Sequence, residues 1–589
     1  MSYLVISEED QNFGHTKNAA ADFYRANKVP EELECALAEA FFQNPEDVNG
    51  YLANYFAKLS PAPLISRLNG KEVYDSRGQR SVEAEVYCIA CNKEERTASA
   101  TISSHLGLTT NIEEREQHVM IAVQWITEPL NKMLEKHNPC DQAEVDRKLS
   151  EFLMARDLEE KEIRNKEKEE SLSACEPEVE LASSPLEKKK EKRPDKKKKG
   201  NVSEKPFCPA EPPEPVLPGC LAIGSVSLAV AKTGAQITGT PLYKYIRGLK
   251  NTVDKSTFHM PVPLVTLLSC GKTSTGKLKL LEEVILIPKV GDQLKQIITM
   301  AMQLQQEMMK IVNTSAKSGT TQAILRDSGV MPVSFDRPEQ ALDLITEACS
   351  NLELELGVEI HLAVNCAAPN LMDYTKEKYE IATGVFKSAD DLVAMYTTLI
   401  GKYAAVVALI DPFRKEDVDQ WEKLSTSVGD ACLLLSDMTF KPQVPPLPGV
   451  KGRLLKHINE ITVSELIHIT GNEQGSLVLG TVCNEACSDD SLSDIAVGLG
   501  MDYIKVGGLR CGERMSKYNR LLSIEQELTQ HGILDYQLHC PPWLPAPYVA
   551  SCTLCAVWRC MQVSMNRVTK ENHPPPLFIE RVQVETVEE

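Results

Sequence analysis

From about residue 260 onward, apolar residues gather into short unbroken runs: 284–287, 360–364, 404–410, 454–455, 477–482 and 503–506. A short apolar run without alternation predicts a strand covered on both faces. Between most runs the period becomes helical, as over 341–352 and 392–399. Strands alternating with helices imply a parallel sheet, and this many units favours a closed (β/α) barrel over an open sheet. The residue that ends each run then lies at the C-terminal mouth, where barrel sites are built. The run in Gly452-Arg453-Leu454-Leu455-Lys456 ends in a lone lysine. Lys456 is therefore the first candidate for a functional group.

Upstream the pattern differs. Over 30–60 it predicts two helices. Pro30 opens the first, with Leu33, Leu37, Ala40 and Phe41 on one face. Asn44-Pro45 predicts an N-cap and first position for the second, where Val48, Tyr51, Leu52, Tyr55, Phe56 and Leu59 keep the helical period. Two helices this short cannot bury both apolar faces alone. The pair is expected either to pack on the protein's own body or to dimerise and capture an amphipathic partner helix. It resembles the small dimerisation-docking helical pairs of the regulatory-subunit type.

Residues 64–102 predict a three-stranded meander, with a turn at Asp75-Ser76-Arg77-Gly78 and Val82, Ala84 and Val86 alternating with Glu83 and Glu85. A helical stretch follows to about 158. Residues 159–217 lose all apolar periodicity, crowd Lys and Glu, and end in clustered prolines. They predict a disordered, solvated insert, with a nuclear-import or anionic-surface patch as the alternative for the Lys-rich run. A small-residue helix over 221–235 restores order. The expected division is 1–60 (docking-like), 61–250 (α+β, interrupted by the insert), 251–530 (barrel) and 531–589 (proline- and cysteine-containing tail).

Bulk properties change this picture little. A chain of 589 residues is too long for one core. A net charge of -19 argues against nucleic-acid binding. No apolar stretch is long enough to span a bilayer. The first ten residues turn acidic before a signal-peptide core forms. The expected compartment is the cytoplasm, with the 18 cysteines mostly reduced. Cys552-Thr553-Leu554-Cys555, with His539, Cys540 and Cys560, raises zinc or redox chemistry, but no second pair stands at standard spacing.

Several stretches match a known family. Asp75-Ser76-Arg77-Gly78 with the strand after it, Gly224 to Lys232, Pro241-Leu242-Tyr243, Asp411-Pro412-Phe413 with Trp421, and Lys505 through Lys517-Tyr518-Asn519 are together similar to enolases over about 64–528. The resemblance implies an α+β domain followed by an unusual (β/α)8-type barrel. It implies dehydration of 2-phosphoglycerate to phosphoenolpyruvate, a step of glycolysis, with Mg²⁺ as cofactor and a homodimer or a heterodimer with another enolase. The N-terminus and insert are similar to the divergent sperm-type branch, implying association with the flagellum. By the same resemblance Lys456 is the base, Asp327 the assisting acid, Lys505 and Glu283 bind substrate, and Asp430 is a metal ligand. Two further metal positions fall on Asn365 and Ile410, the His-Arg-Ser substrate clamp on Val482-Cys483-Asn484, and the mobile-loop histidine on Thr273. Asn brings no charge and Ile cannot ligate, so the metal site is expected to be degraded and turnover weak or absent. The alternative is a non-catalytic enolase-fold scaffold that docks or pairs with glycolytic enzymes.

Overall fold

The computed structural model describes residues 8–103, 112–173, 216–250, 257–272, 276–289, 291, 293–315, 330–437, 447–456, 458–472, 475–481 and 489–535. Its N-terminal part begins with three helices: α1 (Glu8–Ala26), α2 (Val29–Gln43) and α3 (Val48–Leu59). The helix α1 is not among the elements that the periodicity predicts. The cap of α3 is Asp47, whose carboxylate accepts the Gly50 N–H at 2.9 Å, and not Asn44. Asn44 instead ends α2 in the left-handed region at φ 45, a conformation that Asn tolerates better than most residues. Of the apolar face of α2 only Ala36 and Ala40 are buried; Leu33, Leu37, Phe41 and Phe42 are exposed.

The meander follows as an antiparallel sheet in sequence order, β1 (Leu64–Tyr74), β2 (Arg80–Ala90) and β3 (Lys93–Ser103). Its inner face packs on α4 (Ile112–Trp125) and on α7 (Leu221–Ile237), the small-residue helix, through Val82, Ala84, Val86, Val226 and Val230. Between them lie α5 (Asn131–Leu134) and α6 (Gln142–Ser173). The charged stretch expected to be disordered from 159 therefore begins as helix. Ion pairs one turn apart support it there: Arg156–Glu159 at 2.7 Å, Asp157–Lys161 at 2.5 Å and Glu160–Arg164 at 3.1 Å. The rest of the expected insert, 174–215, lies outside the described residues, as do Cys540, Cys552, Cys555 and Cys560 in the tail. After α7 comes α8 (Leu242–Leu249).

The barrel closes. Its eight strands are β4 (Val262–Ser269), β5 (Glu283–Pro288), β7 (Ile360–Asn365), β11 (Val406–Ile410), β12 (Leu433–Ser436), β13 (Val450–Leu455), β14 (Ser476–Gly480) and β15 (Tyr503–Gly507), with β15 pairing back to β4. The short β6 (Met331–Pro332) adds to β4, and β8 (Met372–Asp373), β9 (Lys378–Ala382) and β10 (Val385–Lys387) form a side sheet. Helices α9 (Leu294–Ser315), α10 (Pro338–Asn351), α11 (Ala389–Lys402), α12 (Val418–Val428), α13 (Val463–Asn472) and α14 (Ser491–Leu499) lie between strands, and α15 (Gly512–Gln530) follows the last one. Leu264, Ile285, Ala363, Ile410, Leu435, Leu454 and Val478 fill the interior.

The sheet is not wholly parallel. β5 runs antiparallel to both β4 and β7. The described elements place no helix between β4 and β5, and a connection without a crossover joins antiparallel neighbours. This reversal puts the beginning of β5, not its end, at the mouth: Glu283 stands opposite Asn365, the last residue of β7.

Candidate active site

Two lysine–carboxylate pairs meet at the mouth. On one side β15 projects Lys505, 5% exposed, towards Glu283, with 2.8 Å between Nζ and the carboxylate. Asn365 Nδ2 donates to the second Glu283 oxygen at 3.0 Å, and Thr266 Oγ1 on β4 donates to the first at 3.1 Å. Burial alone would raise the Glu283 carboxyl, but Lys505, Lys456 and these hydrogen bonds hold it down at about 2.

On the other side Lys456, just past β13, donates to the carboxylate of Asp437, just past β12. The Lys456 stem lies along β14, where a Cβ on Gly480 would stand 3.2 Å from its Cγ. Asp411 follows β11 in the left-handed region at φ 47, and its Oδ1 accepts the Asp437 N–H at 2.8 Å. Burial, then the charge of Asp437, pushes the Asp411 carboxyl up to about 7. Burial works against the Lys456 ammonium, yet Asp437 and Glu283 together hold its pKa above the usual lysine range. The base candidate is thus stored in its protonated form. Glu282 adds a fourth carboxyl, raised by burial and by Glu283; its carboxylate lies where a Cβ on Gly271 would stand.

A family model described as the enolase C-terminal TIM barrel domain matches residues 257–537. Enolase 4 of Danio rerio is 46% identical over 552 residues, covering 90% of this chain and 94% of that protein. Enolase 4 of Xenopus laevis is 45% identical over 553 residues (91% and 96% covered). Enolase 4 of Homo sapiens is 40% identical over 568 residues (88% and 89% covered).

The chain belongs to the enolase family. Of the residues that the family resemblance singled out, the fold gathers Lys456, Lys505, Glu283 and Asn365 at one mouth. Asp327, Thr273 and Val482-Cys483-Asn484 lie outside the described residues. Ile410 points its side chain into the apolar barrel interior. Asp430 is not brought to the mouth. It follows α12 and precedes β12, so it sits at the opposite end of the barrel, exposed and paired with Lys451 at 3.0 Å. The carboxylate that β12 delivers to the mouth is Asp437. The pattern held the signal: Leu433-Leu434-Leu435 is another apolar run, and Asp437 stands just beyond its end as Lys456 does beyond its own.

Enolases normally use Mg²⁺, which sets a test for the donors. Among the described residues no group of three or more His, Cys, Asp or Glu side chains could hold a metal ion. Asn365 spends its Nδ2 on Glu283, while its Oδ1 accepts the Ala367 N–H at 3.2 Å. Asp411 and Asp437 remain, at adjacent strand ends and with more negative charge than Lys456 balances. Mg²⁺ is often held by one or two carboxylates with substrate oxygens and waters completing its shell. The donor set fits an ion completed by substrate.

Proposed function

We propose that this mouth carries out the enolase reaction slowly, dehydrating 2-phosphoglycerate to phosphoenolpyruvate. The observation that carries the reading is the presence of two lysines, the buried Lys505 and the largely covered Lys456, at one mouth within the field of Glu283. Lys505 binds the substrate carboxylate, displacing part of its contact with Glu283. Lys456 removes the weakly acidic proton beside that carboxylate, which requires its ammonium first to leave Asp437 and lose a proton. Asp411 and Asp437 would hold Mg²⁺, which supplies positive charge opposite the growing enediolate. Asp327 is the assisting acid by resemblance. Slow turnover follows from a carboxylate set smaller than the family's and from a base stored as its ammonium.

The test is phosphoenolpyruvate formation by highly purified protein. Slow, Mg²⁺-dependent product, lost in Lys456→Ala, is expected; product formed equally by that variant overturns the reading. Calorimetry adds a measurement independent of turnover. Mg²⁺ is expected to bind measurably only with 2-phosphoglycerate present and to lose that binding in Asp437→Asn.

A second reading rests on the other end of the chain. The exposed Leu33, Leu37, Phe41 and Phe42 form an apolar ridge on α2 that the described residues leave uncovered. We propose that these helices dimerise and dock an amphipathic partner helix, so that the enolase body is tethered or paired with another enolase. A flagellum-associated location belongs to this reading and rests on the resemblance alone; the cytoplasmic expectation rests on the acidic N-terminus and the lack of a spanning stretch. Deleting residues 1–60 is expected to abolish partner recruitment. Normal assembly of the truncated chain overturns it.

A further inference from the structure

Lys456 stands where the barrel stops holding its own backbone. Pairing of β13 with β12 ends at Arg453 opposite Ser436, and pairing with β14 ends at Leu455 opposite Leu479. Among the described residues no strand pairing fixes the chain from Lys456 to the start of α13. A base depends on its position more than most residues do, because a misplacement of about 1 Å can cost about 100-fold in rate.

The N-terminal domain supplies what the strand pairing does not. A short 3₁₀ turn, Ile458–Glu460, follows Lys456 and packs on α7. Within it Asn459 Nδ2 donates to the carbonyl of Ser103, the last residue of β3, at 3.0 Å. The Asn459 carbonyl oxygen lies 2.1 Å from where a Cβ on Gly224 of α7 would stand, so a side chain there would displace the turn or the helix. The far end of the segment is held as well. The Val463 N–H donates to Ser227 Oγ on α7 and the Ser464 N–H to Asp146 on α6, both at 2.9 Å. Ser227 donates in turn to Asp146 at 2.6 Å. These N–H groups open α13 and have no partner within their own helix. Ser227 and Asp146 are buried, so water does not compete for them.

We infer that the N-terminal domain positions Lys456, with Asn459 as the positioning residue and the Asp146–Ser227 pair as the anchor of the far end. The inference rests on Lys456 being the base. Asn459 acts through three residues of backbone: it keeps the Lys456 stem beside Gly480 and the ammonium on Asp437. Lys505, which binds the substrate carboxylate, is held differently. It lies inside β15 and is paired with Gly480 of β14. Loosening residues 458–464 therefore moves the base and leaves the binding lysine in place.

Two measurements on the full-length chain test this. The first needs no turnover. Asn459→Ala is expected to cost less stability in a Lys456→Met chain than in the wild-type chain, because part of its cost is the loosened Lys456–Asp437 contact. Equal costs in the two backgrounds mark a merely structural residue and overturn the inference. The second is the kinetics of phosphoenolpyruvate formation. Asn459→Ala and Ser227→Ala are each expected to lower kcat several-fold with KM unchanged. Lys244→Ala breaks a different contact between the domains, that of α8 with Glu527 of α15 at 3.2 Å, and is expected to leave both constants unchanged. An equal fall in kcat for Lys244→Ala, or a normal kcat in both Asn459→Ala and Ser227→Ala, overturns the inference and leaves the base assignment standing. Turnover that survives Lys456→Ala, or is absent from the wild-type chain, overturns the base assignment and the inference with it.

Discussion

The two halves of the barrel mouth hold charge differently. On the β5–β7–β15 side Glu283 has Lys505, Asn365 and Thr266 around it, and its carboxyl is held at about 2. On the β11–β12–β13 side Asp411 and Asp437 share one ammonium, and Asp411 is driven up to about 7. The first half is complete as it stands. The second carries a carboxylate more than its cation can balance. Burial is common to both halves; the count of donors per carboxylate separates them.

Breaking the complete half should have the largest effect. Lys505→Ala removes the cation bonded to the largely buried Glu283 carboxylate and leaves it only the field of Lys456, and chemical denaturation should show a loss of about 3 kcal/mol. Lys456→Met strikes the other half. Its cost at pH 8 is expected to be smaller, about 1–3 kcal/mol, because Asp411 already binds a proton readily and the pair can share one. A Lys456→Met loss equal to that of Lys505→Ala would remove the distinction between the halves. Asp411→Asn sharpens it. The folded-state pKa of this carboxyl is raised from 3.8 to about 7, so the proton is held better in the folded chain. Its contribution to stability is complete below pH 4 and is lost as pH rises through 7. In metal-free buffer Asp411→Asn should therefore be near neutral at pH 4 and stabilising by about 1–2 kcal/mol at pH 8, read from denaturant midpoints. Smallest for stability is Phe41→Ser with Phe42→Ser, expected within about 0.5 kcal/mol because both side chains are exposed. The same pair should weaken self-association in sedimentation.

Much of the barrel was legible because its strands are buried on both faces and read as plain apolar runs. Lys456 was legible for the same reason, as a polar residue closing such a run. Direction was not. An apolar run looks the same read either way, so the reversal of β5 had to come from the pairing of Glu283 with Asn365. Asp430 came from the resemblance alone, and the fold sets it apart from the mouth: it precedes its strand, and in a parallel barrel that is the far end. Asp411 was visible beside Pro412 and Phe413, but only the turn at φ 47 brings its carboxylate alongside the Asp437 backbone. The helical start of the charged insert was hidden because ion pairs along a polar helix leave no apolar period to detect.

The backbone at Asp411 has a consequence for how this site drifts over generations. A left-handed conformation is tolerated best by Gly, Asn and Asp. From either aspartate codon, one base change reaches asparagine and another reaches glycine. Two of the commonest mutational steps at this position therefore erase the carboxylate while suiting the chain's path. At a right-handed helical position the glycine step would carry a folding penalty that selection could act on. Here the charge can be lost with the fold intact, so only selection on the chemistry keeps Asp411 in place.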